Sequence, residues 1–336
     1  MAVSQDSKFA FAVGKIRALE VKLLDQAKMQ RMLEARTPEE AFHVLAETEY
    51  ADLVALVKTP YQFETVTTGE IRRVYEMIRK ILPDEPLTDL FCVKYDIHNL
   101  KVLLKAEYQG KNFDHLLMDV GLVPVELMKY VAQGIVLPEV PERYLKAAAE
   151  ARKAYEASKD PKVIDTILDR EMYSFLISIA KKNHYDFYVK IITDQIDLAN
   201  LRSMIRAKRM GRDKDFLKES LLPGGSIALE VYLEAIPEDW DKIIDRFAKT
   251  SHAALVKEGI VDYLASGQLT LLEKLIDDKI MQQVKQAKML PMGPEPVIGY
   301  LMAKETEVRN IRIIMVGKLN DVSTDVIRER LRDSYV

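Results

Sequence analysis

The sequence predicts an all-α protein, and three observations predict it. Glycine and proline number only 13 each in 336 residues, so chain breakers are sparse. The abundant residues are Leu, Ala, Lys, Glu, Met and Arg, which lose little side-chain freedom in a helix. Apolar residues recur at three- and four-residue spacing instead of alternating. A hydrophobic content of 48% supports packed cores, and the length suits two or three domains at roughly 150 residues each.

The elements follow in order. A long first helix is expected through KFAFAVGKIRALEVKLLDQAKMQRMLEA, where Phe9, Val13, Ile16, Leu19, Leu23 and Leu24 keep helical spacing. The next opens at TPEEAFHVLAE: Thr37 caps, Pro38 takes the first position, where an N–H is dispensable, and Glu40 completes a capping box. GEIRRVYEMIRKIL is a third, stopped by Pro83 and Pro86. A fourth runs from about Thr88 to Gln109, with Gly110 suited to a left-handed stop. A proline-punctuated stretch (Pro124, Pro138, Pro141) leads to helices through YLKAAAEARKAYEA and VIDTILDREMYSFLISIAKK, then to a long helix ending at Gly211. LPGGS is a turn, LTLLEKLIDDKIMQQVKQAKM a helix, PMGPEP a break, and the last long helix stops near Asn320.

Three of the helices carry one phrase. DIHNLKVLLKAE (96–107), DLANLRSMIRAK (197–208) and EVRNIRIIMVGK (307–318) each read acid, two residues, Asn, Leu or Ile, Lys or Arg, two residues, then a large aliphatic. The asparagines Asn99, Asn200 and Asn310 lie 200 − 99 = 101 and 310 − 200 = 110 residues apart. Such a period is a repeated domain, not a solenoid unit of about 20–50 residues. The expected repeats are 1–112, 113–212 and 213–336. A weaker echo lies upstream, where ILDRE and LIDDK place Asp169 and Asp277 31 and 33 residues before their asparagines, while the first copy offers only GEIRR.

On a helix, Asp96, Asn99, Leu100 and Leu103 share a face, as do Asp197, Asn200, Leu201 and Met204, and Glu307, Asn310, Ile311 and Ile314. Amides on a buried stripe need partners, so these acids and asparagines are read as structural polar contacts that fix packing, with a ligand role as the alternative. Lys101, Lys105, Arg202, Arg206, Arg209 and Arg312 project from another face, either ringing a common surface or forming a solvated charged face.

Charge and motifs exclude several functions. Lys and Arg total 49 against 52 Asp and Glu, a net charge of −3, so no global basic excess attracts nucleic acid. The locally basic RSMIRAKRMGR (202–212) keeps a nucleic-acid-binding or scaffold protein as the runner-up, ahead of an enzyme with a carboxylate site. The single cysteine, Cys92, has apolar neighbours and reads as a core residue, and the composition suits a reducing cytoplasm. No apolar run approaches the ~18 residues of a membrane span, and MAVSQDSKFAFAVGK lacks a signal-peptide core. No phosphate-binding loop or GxSxG elbow is present. His43, His98, His115, His184 and His252 share no metal spacing and read as surface or cap residues. Catalytic, cofactor and metal residues are therefore expected to be none. Trp240 reads as an anchor over a helix start.

The three phrases, the N-terminal FAVGKIRALEVKLL and the closing IRERLRDSY resemble the C subunit of the bacterial and archaeal V/A-type ATP synthases, a relative of the d subunit of eukaryotic V-ATPases, over essentially the whole chain. The resemblance implies a funnel of three helical units about a pseudo-threefold axis, without catalysis of its own. It further implies a cytoplasmic, membrane-associated adaptor that caps a proteolipid rotor ring, receives the central shaft and transmits torque for ion transport. The basic residues Lys101, Lys105, Arg202, Arg206, Arg209 and Arg312 are expected to contribute to one end of that grip.

Overall fold

The computed structural model describes residues 5–82 and 85–336, and all regular elements among them are helical. The chain divides into two compact units, Asp84–Thr250 and the pair of segments Met1–Pro83 and Ser251–Val336.

Within the continuous unit, the helix Lys162–Lys182 is central and packs against Glu85–Gln109, Glu142–Ser158 and Asp186–Arg209. Phe91, Cys92, Ile97 and Leu100 on one long helix and Ile192, Ile196 and Leu201 on another are almost wholly buried. Glu85–Gln109 ends where expected: Gly110 adopts φ +60° and Lys111 donates its N–H to the Ala106 carbonyl, closing the last turn. Gly211 ends the helix after Arg209 in the same way, with φ +64° and the Arg212 N–H on Ala207. Trp240 is the first residue of Trp240–Phe247, half-buried, with the Lys208 ammonium 5.1 Å from its ring.

Within the discontinuous unit the hub is Glu295–Leu319, buried on nearly every side from Pro296 to Gly317. A helix that is apolar around most of its circumference must be covered all round. Segments from both ends of the sequence cover it, including Ala10–Glu20, Pro38–His43, Phe63–Ile81, Thr270–Val284 and Thr324–Arg330. It stops at Asn320, as the sequence predicts.

The first helix is not continuous. It ends at Glu20 and a second, Gln26–Glu34, starts after Asp25, whose extended backbone lets its carboxylate accept the Lys28 N–H. Asp25 is an N-cap residue inside a helical pattern, and it wins because the Leu24 N–H is taken by the distant Glu307 carboxylate. Thr37 caps Glu40 as expected, but Glu40 reaches back to the Arg36 N–H, one residue before the cap. The third helix starts earlier than its pattern predicts, at Phe63, and ends at Ile81; Pro83 lies outside the described residues. Four histidines are exposed, whereas His252 is buried, at the cap position of Ala253–Ser266.

Candidate functional site

The three phrase asparagines do the same thing in each copy. Asn99 donates its amide to the Met118 carbonyl at 2.7 Å and accepts the Met118 N–H at 2.8 Å. Asn200 makes the same pair with Leu222, both at 2.8 Å, and Asn310 with Arg332, both at 2.9 Å. A carboxamide is a peptide group on a side chain, so it satisfies both backbone groups of one extended residue at once. That residue lies 19, 22 and 22 positions after its asparagine. The partner in each copy is thus a residue of a loop that follows the helix.

The acid one turn earlier secures the next stretch of chain. Asp96 is fully buried and accepts the Leu122 and Val123 N–H groups at 3.0 and 3.1 Å and the Tyr144 hydroxyl at 2.7 Å. Asp197 accepts the Ser226 and Ile227 N–H groups at 2.9 and 3.1 Å, the Ser226 hydroxyl at 2.5 Å and the Tyr232 hydroxyl at 3.3 Å. Glu307 accepts the Leu24 N–H at 2.5 Å and the Tyr50 hydroxyl at 2.7 Å. The first two locks close on the chain just beyond their helix; the third closes on the N-terminal segment, although its asparagine still holds Arg332.

Side-chain length explains a sequence difference between the copies. An Asp carboxylate stays close to its helix, so the loop must approach closely: a Cβ on Gly121 would lie 2.0 Å from Asp96 Oδ1, and one on Gly225 2.1 Å from Asp197 Oδ1. Glycine is required at both. Glu307 extends one methylene further, and Leu23 stands before its bonded amide.

Electrostatics differ too. Burial pushes the Asp96 carboxyl up to about 6, against the pull of Tyr144 and the two backbone donors. Burial, then the adjacent carboxylate, raises the Tyr144, Tyr232 and Tyr50 hydroxyls, which therefore remain neutral donors. The third lock has a buried cation: Lys304, 2% exposed, bonds Glu307 at 2.6 Å and lies 3.2 Å from the fully buried Glu70. Burial pulls the Lys304 ammonium down, but Glu307 and then Glu70 outweigh it and hold the group above its ordinary value. Arg73 completes the cluster with two bonds to Glu70, at 2.7 and 2.8 Å.

The tyrosines, the glycines and the Lys304–Glu70 pair carry no clear mark in the sequence. A weak signal exists in Tyr144-Leu-Lys-Ala and Tyr232-Leu-Glu-Ala, but these tyrosines follow their acids by 144 − 96 = 48 and 232 − 197 = 35 residues.

The basic residues are divided in their placement. Lys101 pairs with Asp169 at 2.6 Å and Lys105 with Asp165 at 2.6 Å, both across to Lys162–Lys182. Arg312 makes two 2.7 Å bonds to Glu64. Arg202 is half-buried; Arg206 and Arg209 are exposed near the end of their helix. Asp277 holds Arg309 at 2.9 Å and Arg332 at 2.6 Å. The acid that seemed missing from the first copy is Glu64, 99 − 64 = 35 residues before Asn99, and the recurrent basic position of the third copy occupies it.

These groups hold backbone to backbone: each carboxylate and amide is occupied by donors and acceptors of its own unit, an arrangement suited to fixing chain path. The same organisation spans the region that matches known proteins, since residues 12–330 match the ATP synthase (C/AC39) subunit family. The chain belongs to this family. Among similar proteins, the C subunit of the V-type sodium ATPase of Enterococcus hirae is 26% identical over 320 residues, covering 95% of this chain and 97% of the relative. The C subunit of the A-type ATP synthase of Methanocaldococcus jannaschii is 25% identical over 342 residues, covering 96% and 86%. That of Desulfurococcus sp. is 23% identical over 333 residues, covering 96% and 90%. No helix among the described residues is long and apolar enough to cross a membrane.

Proposed function

We propose that this chain is a non-catalytic rotor adaptor that joins the central shaft of a V/A-type ATP synthase to its membrane rotor ring and transmits torque for ion transport. The observation that carries the reading is the thrice-repeated lock, in which a buried Asn and acid pin the loop beyond each long helix. Torque requires a body that does not yield, and doubly bonded backbone inside close-packed helices resists deformation. In this reading the repeats 1–112, 113–212 and 213–336 stand about a pseudo-threefold axis as a funnel on the cytoplasmic side of the membrane. It is attached only through shaft subunits and ring proteolipids, without a cofactor or nucleic acid.

The basic set Lys101, Lys105, Arg202, Arg206, Arg209 and Arg312 grips one of those partners. Internal pairing of Lys101, Lys105 and Arg312 is compatible with this, because a part-exposed pair contributes about 0–1 kcal/mol and exchanges readily for a partner's carboxylate. Affinity purification of the chain from its native membranes in mild detergent, followed by mass spectrometry, tests the reading. Shaft subunits and a small hydrophobic proteolipid are expected; soluble proteins or nucleic acid alone would overturn it. A triple Arg202→Ala, Arg206→Ala, Arg209→Ala variant is expected to recover less of one partner at about 150 mM salt, where surface charge is already partly screened, with an unchanged urea midpoint. Full recovery would remove the grip from this helix.

A further inference from the structure

The helix Ala10–Glu20 buries Ala12, Val13, Ile16 and Glu20 and leaves its opposite arc open. Phe11 and Val21 on that arc are 71% and 82% exposed. About ten residues of helix separate them, about 15 Å at ~1.5 Å per residue. Between them the exposed surface is small, at Gly14 and Ala18, flanked by Lys15. Met289, 84% exposed, adjoins the same helix, because Arg17 donates to the Ala287 and Leu290 carbonyls at 3.0 and 2.6 Å.

Gly14 is unexplained by internal packing. A Cβ there meets nothing within 4 Å, and the residue does not adopt a positive φ, so alanine would fit and would favour the helix. Large apolar side chains bracketing a small-residue floor about 15 Å long make a seat for a rod about 10 Å wide, the diameter of an α-helix. Charge selects the rod. Between Ser7 and Lys22, Arg17 is paired with the buried Glu20 and Lys22 with Glu49 at 3.0 Å, and the exposed Lys15 is the ammonium at the middle of the seat. A second copy would set Lys15 against like charge. Two separated bulky side chains do not form the broad apolar face of a bilayer-seated helix.

We infer that the outer face of Ala10–Glu20, with Met289 at its edge, is a docking seat for an α-helix of another chain that carries acidic residues beside a small or aliphatic face. The inference rests on the adaptor reading only for the expectation that this chain is part of the same complex. The seat excludes water beneath the partner backbone at Gly14 and Ala18, while Lys15 meets a carboxylate at its rim.

Zero-length carbodiimide coupling of the complex purified from native membranes tests it, because the reagent joins a lysine amine to a carboxylate in contact. Peptide mass spectrometry is expected to find Lys15 joined to an Asp or Glu within a helical segment of another chain. The Gly14→Leu variant supplies the second arm. It is expected to lose this cross-link and at least about tenfold of that chain's recovery, while its Tm equals or exceeds that of wild type, since leucine favours the helix and meets open space. Coupling of Lys15 only within the chain or to a second copy, full recovery of the cross-linked chain by Gly14→Leu, or binding to anionic vesicles abolished by Gly14→Leu would each overturn the seat. Recovery of shaft and ring components in the same preparation is a separate readout, so the adaptor reading can stand while the seat fails, and the reverse.

Discussion

Asp96 and Asp197 occupy equivalent places in their helices, yet only Asp96 relies on one hydroxyl and two backbone donors with no serine beside it. Its folded-state pKa of about 6 lies above the 3.8 of the free group, so the folded chain holds a proton that the unfolded chain releases between those values. The favourable contribution is complete below pH 3.8 and disappears as pH rises through 6, a change of ~3 kcal/mol at about 1.4 kcal/mol per pKa unit. Relative to wild type, Asp96→Asn should therefore gain stability between about pH 4 and about pH 6.5; urea unfolding at both ends would show a constant difference if Asp96 does not titrate there. Gly121→Ala and Gly225→Ala should each cost about 1–3 kcal/mol, read as a lower urea midpoint, since the new methyl collides with a carboxylate fixed by its own bonds. The sequence shows the acids and asparagines because they share a constant spacing. It hides Gly121, Gly225 and the tyrosines because loops of different length separate them from their partners, and only the tertiary fold brings them together.

At the scale of elements, each long helix is bound to its loop through two backbone groups of a single residue. Asn200→Ala strips both from Leu222 in a buried site, and at ~1–3 kcal/mol for each orphaned group the expected loss is about 2–6 kcal/mol. Hydrogen exchange should quicken at residues 221–227 before the helix Asp186–Arg209 is affected; uniform quickening would mean that the amide supports the helix and not the loop. Lys304→Met leaves Glu70 and Glu307 buried with less compensating charge and should cost ~3–5 kcal/mol. Adding Glu307→Gln should return part of that, and a double-mutant cycle measures how much. Periodicity predicts most of these helices because their apolar faces are buried as the pattern requires. It fails at Leu24–Asp25, where the periodic residues Leu19, Leu23 and Leu24 straddle a break imposed from residue 307. A contact made 283 positions away leaves no trace in local spacing.

For the whole molecule, the two units differ in how they are strung. Asp84–Thr250 is one uninterrupted stretch containing two complete locks, so a fragment of those residues should fold alone, with helical circular dichroism and one cooperative urea transition. Residues 251–336 alone lack Leu24 and Tyr50 for Glu307, Glu70 for Lys304 and Glu20 for Tyr335, and should not fold until residues 1–82 are supplied in trans. Cooperative unfolding of the isolated 251–336 fragment would contradict this division. The all-helical class was legible from composition, and the phrase marked the three buried asparagines. The division was not, because nothing in a linear pattern marks residues 20–70 as belonging with residues 304–335.

This stringing has a consequence for synthesis. When residue 82 leaves the ribosome, Leu24, Tyr50 and Glu70 have no counterpart, because Lys304, Glu307 and Tyr335 are still to be translated. Roughly 250 further residues at ~5–20 per second leave the opening segment waiting about 13–50 s, while the stretch after it can already fold. Over that interval its apolar residues Phe9, Ile16, Leu24 and Met32, all buried in the finished protein, are exposed to chaperones and proteases. The nascent chain's most vulnerable part is therefore older than the stretch that folds before it.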